Sequence, residues 1–379
     1  MAAEPIRVLW LAKGLGPGGM ERLLVHQARF ADHSAFHYQA AYLRPDKNHL
    51  VPALAANGVE STCLNGATLH DLRWALRLRK LLIADRIDVV HVHSPAVAAI
   101  ARIVCRTVRP RVRVVYTEHN MWSSYDRATR LANRATYPLD DAHIAVSQQV
   151  CESVPPRPRR RLRAVVHGID IESVRAELAG RNAMRSELGF EPGTVLVGTV
   201  ANFRSEKGYP DLLAAARIVL DRNPGVRFVA VGQGPLEAEI RAEHARLVLD
   251  DRFAFLGYRP DATRVMAAFD VFTLASHFEG LPVTLMEARA LVLPVIVTRV
   301  GGLAAHVRDG VDGVLVEPRA PESLAAAIIA LAADLARRRS LGAASAAAAD
   351  VFDARVFTHD LEHVYSRVAS RAFVRGVAK

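Results

Sequence analysis

The chain has 379 residues, of which 51% are hydrophobic, and a formal net charge of +10. Such a length exceeds one ordinary core and such an apolar fraction excludes wholesale disorder, so two domains are expected. Its three scattered cysteines, Cys63, Cys105 and Cys151, offer neither a disulfide framework nor a Cys-x-x-Cys metal pair, which points to a reducing, cytoplasmic setting.

In chain order, Arg7–Ala12 reads as a strand and Met20–Ala31 as a helix. The apolar run Val8–Ala12 is too short for a signal-peptide core or a membrane span. Further strands are predicted at Gln39–Leu43, Val89–Val92, Val112–Thr117, Ala142–Val146 and Leu162–Val166, with helices at Leu72–Ala84 and Ala96–Arg106. The polar stretch Asp170–Gly193 reads as a linker. The pattern then restarts with a strand at Val195–Val200 and a helix at Pro210–Leu220. Strands at Arg227–Val231, Phe253–Leu256, Val271–Leu274, Pro294–Thr298 and Gly313–Val316 follow, with a helix at Leu236–Leu247. Leu324–Ala349, broken by Asp334 and Arg337–Arg339, reads as two helices. Buried β-branched runs alternating with helices imply parallel sheets covered on both faces. The expected domains are 1–178 and 179–353, with the C-terminal helix 354–379 crossing back onto the first.

The charge is uneven. Residues 1–180 carry 25 Lys and Arg against 16 Asp and Glu, and residues 181–379 carry 24 against 23. This asymmetry suits an anionic partner, such as a membrane surface or a phosphorylated substrate, or reflects simple arginine enrichment. Nucleic acid is not expected, because the basic half lacks a recognition motif or an aromatic–basic interleave. The segment His70–Leu82 can form an amphipathic helix, with Arg73, Arg77 and Lys80 on one face and Trp74 at an interface. The alternative is that Leu72, Leu76 and Leu82 pack on the first sheet.

Four motifs carry chemistry. Gly14-Leu15-Gly16-Pro17-Gly18-Gly19 follows the first strand and satisfies G-x-G-x-x-G, as a phosphate cradle or as a bare tight turn. Arg44 ends the second strand where an NAD enzyme would have an acid, which leaves an NADP-dependent oxidoreductase open. Arg204-Ser205-Glu206-Lys207-Gly208 puts two cations after a strand, to clamp one diphosphate or to be solvated. Glu279-Gly280-Leu281 leads into a helix bearing Glu287. Two carboxylates there suit sugar or ribose hydroxyls, or else complement the helix dipole. His91, His93 and His119 stand at strand ends, where histidine trades protons near neutral pH or serves as a structural hydrogen-bonder. No Asp-x-Asp pair, P-loop or metal-ligand spacing is present, so no metal or other cofactor is expected.

In order, GPGGMER, DVVHVHS, YTEHN, VVHGID, VGTVANFRSEKGYPDLL, FVAVGQGPL, FLGYRPD, ASHFEGLPVTLMEARA and VTRVGG resemble the retaining GT-B glycosyltransferases of family 4 over nearly the whole chain. The resemblance implies an α/β, GT-B architecture: two Rossmann-like domains with parallel sheets facing a central cleft. It implies a nucleoside-diphosphate-sugar donor, linked to UDP or GDP, and a hydroxyl acceptor such as a cell-envelope, lipid-linked or polysaccharide precursor. By resemblance, Gly18 and Gly19 lie near the donor phosphate or acceptor, and Arg204 and Lys207 clamp the diphosphate. Glu279 holds sugar hydroxyls and Glu287 the ribose, with Gly280 and Leu281 supplying amides. His119 touches the reacting sugar, and Gly232, Gly234, Tyr258 and Arg259 lie near the nucleoside. The expected enzyme is metal-independent and cytoplasmic, with a peripheral position at the inner face of the plasma membrane. A GT-B-fold sugar-nucleotide epimerase is an alternative. Ala304-Ala305 stands where the family often has Pro-Glu, and His167 where many members have asparagine.

Overall fold

A computed structural model describes residues 4–16, 18–66, 71–156 and 162–376, with side chains through Ser370. The chain divides into two units: Met1–Gly168 with Asp353–Lys379, and Ile169–Phe352.

The first unit is a seven-stranded parallel sheet: β1 Ile6–Ala12, β2 Phe36–Tyr42, β3 Glu60–Cys63, β4 Val89–Val92, β5 Arg113–Glu118, β6 Ala142–Ala145 and β7 Leu162–Ala164, in the order β3-β2-β1-β4-β5-β6-β7. Both faces are buried, so side chains alternate between two cores. Leu9 and Leu11 of β1 join one with Trp74, Leu78 and Val92, while Val8, Trp10 and Ala12 join the other with Tyr38 and Leu361.

Part of the second core comes from the helix Ala354–Gly376, through Leu361, Tyr365 and Val368. Its polar groups fix the register. Glu362 accepts from Tyr38 OH at 2.9 Å and from the Asp32 amide at 2.8 Å. The Tyr365 hydroxyl meets Trp10 Nε1, Gln27 Nε2 and His91 Nδ1.

The second unit has six parallel strands: β8 Val195–Val200, β9 Val226–Val231, β10 Phe253–Phe255, β11 Val271–Leu274, β12 Val295–Thr298 and β13 Val314–Val316, ordered β10-β9-β8-β11-β12-β13. The stretch read as a linker is instead helical, at Ile171–Ala176 and Arg181–Glu187. Ile171, Val174 and Met184 are buried there, and Arg181 and Arg185 hold Asp270 at 2.6 and 2.9 Å.

In both sheets the strand order reverses once, between β1 and β4 and between β8 and β11. Ligands of open parallel sheets bind beyond the carboxyl ends of strands at such points. Four of the loops singled out from the sequence leave those ends, following β1, β4, β8 and β11.

Candidate active site

In the second unit the loops after β8 and β11 are fastened to each other. Lys207 Nζ donates to Glu279 Oε1 at 2.6 Å, and Ser276 Oγ donates to the same oxygen at 2.7 Å. The His277 amide donates to the Glu206 carbonyl at 2.8 Å, and His277 Nε2 lies 2.6 Å from Asp211 Oδ2. Gly208 completes the join. Its φ is +62°, and a Cβ would sit 2.0 Å from the Ala275 carbonyl oxygen, so only glycine fits. Arg204 lies on this loop with its side chain exposed, and among the described residues its guanidinium has no ion-pair or hydrogen-bond partner.

The glutamate loop is held from the other side by Gly301 and Gly302. Gly301 has φ +50°, and a Cβ on it would lie 1.7 Å from the Glu279 carbonyl oxygen. A Cβ on Gly302 would lie 1.9 Å from that of Gly280. The Gly302 amide donates to Gly280 O at 2.6 Å. Gly280 and buried Leu281 lead into the helix Val283–Ala290, and buried Glu287 on it accepts from Thr263 Oγ1 at 3.3 Å.

The residues expected near a nucleoside have structural work of their own. A Cβ on Gly232 would stand 2.0 Å from Ala201 O, and one on Gly234 2.4 Å from Phe203 O, so these glycines let the loop after β9 lie against the chain leaving β8. Arg259 pairs with Asp261 at 2.8 Å and with Glu187 at 3.1 Å, which holds its guanidinium above the ordinary arginine range. Tyr258 is partly exposed beside it.

In the first unit, Gly14 and Gly16 are packed against Lys47, and the Leu15 amide donates to Lys47 O at 2.6 Å. Gly18 precedes the helix Gly19–Phe30 and lies against the Glu21 carboxylate, which burial pushes up to about 6. Pro17 of this loop lies outside the described residues. Arg44, the residue that left an NADP reading open, is paired with Asp46 at 2.7 Å.

The histidines separate into roles. His91 is wholly buried, with Nδ1 2.6 Å from Tyr365 OH and Nε2 2.7 Å from Thr117 Oγ1, and burial drives it down to about 3. His93 Nδ1 meets His119 Nε2 at 3.1 Å, and burial holds both rings well below the usual histidine range.

Beside His119, the fully buried Glu118 accepts from Tyr116 OH at 3.0 Å and from Tyr125 OH, and burial raises it to about 7. Glu118, Ser276, Asp211 and Tyr365 join these networks without a motif that predicts their roles. Three of them stand inside recognisable motifs, Glu118 in YTEHN, Ser276 in ASHFEG and Asp211 in GYPDLL, beside residues of more conspicuous chemistry.

The helix Arg73–Ala84 corrects one expectation. Trp74 is 0% exposed inside the core, so it is withdrawn from any interface. The packing alternative holds for Leu82 only, since Leu72 and Leu76 are 58% and 65% exposed. His70, the start of that segment, lies outside the described residues.

Two family descriptions match the sequence: Glycosyltransferase Family 4 over residues 17–173 and Glycosyl transferases group 1 over residues 194–334. The chain belongs to the group 1 glycosyltransferases. An Escherichia coli UDP-Gal:alpha-D-GlcNAc-diphosphoundecaprenol alpha-1,3-galactosyltransferase is 24% identical over 304 residues, which is 76% of this chain and 78% of that one. A D-inositol 3-phosphate glycosyltransferase of Geodermatophilus obscurus is 33% identical over 320 residues, or 79% of this chain and 66% of that one.

In fold, the chain resembles Anabaena HepE, whose crystal structure is in complex with UDP and glucose. The TM-score is 0.82 at 20% identity, covering 96% of this chain and all of that one. This glycosyltransferase therefore has the GT-B fold, with two Rossmann-like parallel-sheet units. The oxidoreductase and epimerase alternatives are not favoured.

Among the described residues no three His, Cys, Asp or Glu side chains gather as a metal-holding group, and no helix is long and apolar enough to cross a membrane.

Proposed function

We propose that this glycosyltransferase moves a hexose or N-acetylhexosamine from a UDP- or GDP-linked donor to a hydroxyl acceptor, retaining the anomeric configuration and using no metal ion. The observation that carries the reading is the fastened pair Lys207–Glu279 beside the unpaired guanidinium of Arg204. As the glycosidic bond breaks, negative charge gathers on the leaving diphosphate. Arg204 and Lys207 meet it from a loop whose backbone is already held, which limits reorganisation to their side chains. Glu279 takes sugar hydroxyls and Glu287 the ribose. Gly280 and Leu281 offer amides at the start of their helix, Gly18 and Gly19 receive phosphate or acceptor, and His119 touches the sugar. Front-face attack then lets the departing phosphate oxygen take the acceptor proton as the new C–O bond forms.

The E. coli relative's name specifies a diphosphoundecaprenol-linked acceptor. This supports a cell-envelope, lipid-linked or polysaccharide precursor as the acceptor here. Donor hydrolysis assayed over a panel of UDP- and GDP-linked sugars in EDTA, with NMR of the product anomer, tests the reading. Inertness toward every donor, an inverted product or a strict requirement for added Mg²⁺ or Mn²⁺ each removes its part of it.

A peripheral, cytoplasmic-face membrane contact through the helix Arg73–Ala84 belongs to the same proposal. Leu72, Leu76 and Ile83 are exposed there, with Ile103 on the adjoining helix Pro95–Arg106. Arg73, paired with Asp71 at 2.8 Å, stands among them with Arg77, Arg79 and Lys80, and no acid lies within Arg73–Ala84 itself. Apolar tips ringed by cations suit an anionic lipid surface.

A further inference from the structure

His93 lies between His91 and His119. Its Nδ1 is 3.1 Å from His119 Nε2. Its Nε2 is buried and has no hydrogen-bond partner among the described residues. Its ring lies 4.1 Å from that of His91, whose two nitrogens are fixed by Tyr365 and Thr117.

The groups facing this cluster are Thr117 and Tyr365, through His91, and His167, through His119, and burial with mutual repulsion keeps the rings neutral. One proton therefore lies between His93 and His119, and there are two ways to place it. If His119 Nε2–H donates, the proton of His93 must sit on its own Nε2, a buried N–H with no acceptor. If His93 Nδ1–H donates, its Nε2 is a bare lone pair and the proton of His119 sits on Nδ1. Orphaned buried N–H groups are the rarer of the two defects, so the second arrangement is favoured. Among the described residues the Nδ1 of His119 makes no hydrogen bond, and the ring is partly exposed.

We propose that His93 is a positioning residue that donates Nδ1–H to His119 Nε2 and fixes His119 as a neutral Nδ1–H tautomer, a hydrogen-bond donor to an oxygen of the transferred sugar or acceptor. The site rests on the role proposed for His119; the tautomer does not. His119 then neither takes nor releases a proton during turnover. The C-terminal helix bears on this cluster through Tyr365, which holds His91 and so the ring against which His93 lies tilted at 38°.

Long-range ¹⁵N–¹H correlation spectra of histidine-labelled full-length protein at pH 7 read the tautomer directly, with His119 assigned by its loss in His119→Asn. The expected result is a protonated Nδ1 and a bare Nε2 on His119. His93→Phe keeps an aromatic ring and removes the donor. It is expected to release His119 to the Nε2–H form and lower kcat for UDP-glucose hydrolysis by roughly tenfold or more, the scale seen when a histidine loses its orienting partner, with KM little changed. His93→Gln, with an amide donor, restores part of kcat. Protonated Nε2 in the wild type, or a tautomer indifferent to His93→Phe in a variant that still melts cooperatively, overturns the proposal. Full activity in His119→Asn would instead remove the role proposed for His119 while leaving the tautomer assignment standing.

Discussion

Replacing Glu118 by glutamine should stabilise the first unit above neutral pH and leave it nearly unchanged in mild acid. Glu118 Oε1 accepts two tyrosine hydroxyls, whereas Oε2 is buried without a partner. Arg102 is close enough to favour the charged form, but its fork is taken by Asp140 at 2.7 Å through both Nε and Nη2, and Asp140 works against ionisation. Desolvation wins and raises the carboxyl from 4.5 to about 7.

Between these values the folded unit holds a proton that the unfolded chain has released, so stability falls as pH rises. The protonated form's contribution is complete below 4.5 and is lost on passing 7. At 1.36 kcal/mol per unit, the loss is about 3 kcal/mol. Glutamine is neutral at every pH and similar in shape, so Glu118→Gln should recover up to about 3 kcal/mol at pH 8 and close to nothing at pH 4.5. Urea titrations followed by tryptophan fluorescence are the assay, because Trp10, Trp74 and Trp122 all lie in the first unit and the second is silent. A variant less stable than wild type at pH 8, or two stability curves parallel between pH 4.5 and 8, would refute the burial argument.

The remaining predictions concern ligands. Arg204→Ala removes an exposed, unpaired cation and should weaken donor binding tenfold or more, as roughly 1.5–3 kcal/mol per charge-assisted contact implies, with no change in melting temperature. Lys207→Ala should weaken the donor similarly but also lower the melting temperature, because it leaves the buried Glu279 with Ser276 alone; equal melting curves for the two variants, or unchanged donor titrations, count against the assignment. Glu279→Gln should reduce turnover more than affinity for free UDP or GDP, whereas Glu287→Gln should weaken the free nucleotide, and calorimetry that finds equal effects erases the distinction. The wild type should co-sediment with vesicles containing phosphatidylglycerol at low salt and not with phosphatidylcholine alone, each cation near the surface adding about 1 kcal/mol, and Leu72→Gln with Leu76→Gln should weaken this; protein left in the supernatant with both vesicle types ends the membrane proposal.

The central strands were legible because they are apolar, β-branched and bounded by turn residues. β4, β8 and β11 begin and end where the sequence places them. β3 was missed because Glu60–Cys63 is an edge strand with alternate residues exposed and three polar side chains, so no hydrophobic run announces it. The helices of Asp170–Gly193 were hidden differently: they bury few apolar residues, and the second docks through Arg181 and Arg185 on an aspartate 89 and 85 positions away. Pairings of that kind, like His277 with Asp211 or Tyr365 with His91, leave no periodic trace, since elements far apart in the chain are brought together only by tertiary packing.

The glycines show where motif reading and structure part. A glycine in a fingerprint is first suspected of making room for a ligand. Gly208, Gly232, Gly234, Gly301 and Gly302 all make room for backbone of this chain, with a Cβ falling within 2.4 Å of a carbonyl oxygen in each case. The carbonyls they meet belong to Ala201, Phe203, Ala275, Glu279 and Gly280, in or beside the loops that carry Arg204, Lys207 and Glu279. The close approaches they allow fix the backbone on which those charged side chains stand. Ala304-Ala305, the departure from the family's usual Pro-Glu, comes directly after this framework, in the helix Gly301–His306 that Gly301 and Gly302 open. The glycine contacts that seat Glu279 are made by Gly301 and Gly302 and not by the residues at 304 and 305, so the departure leaves the seating of Glu279 in place.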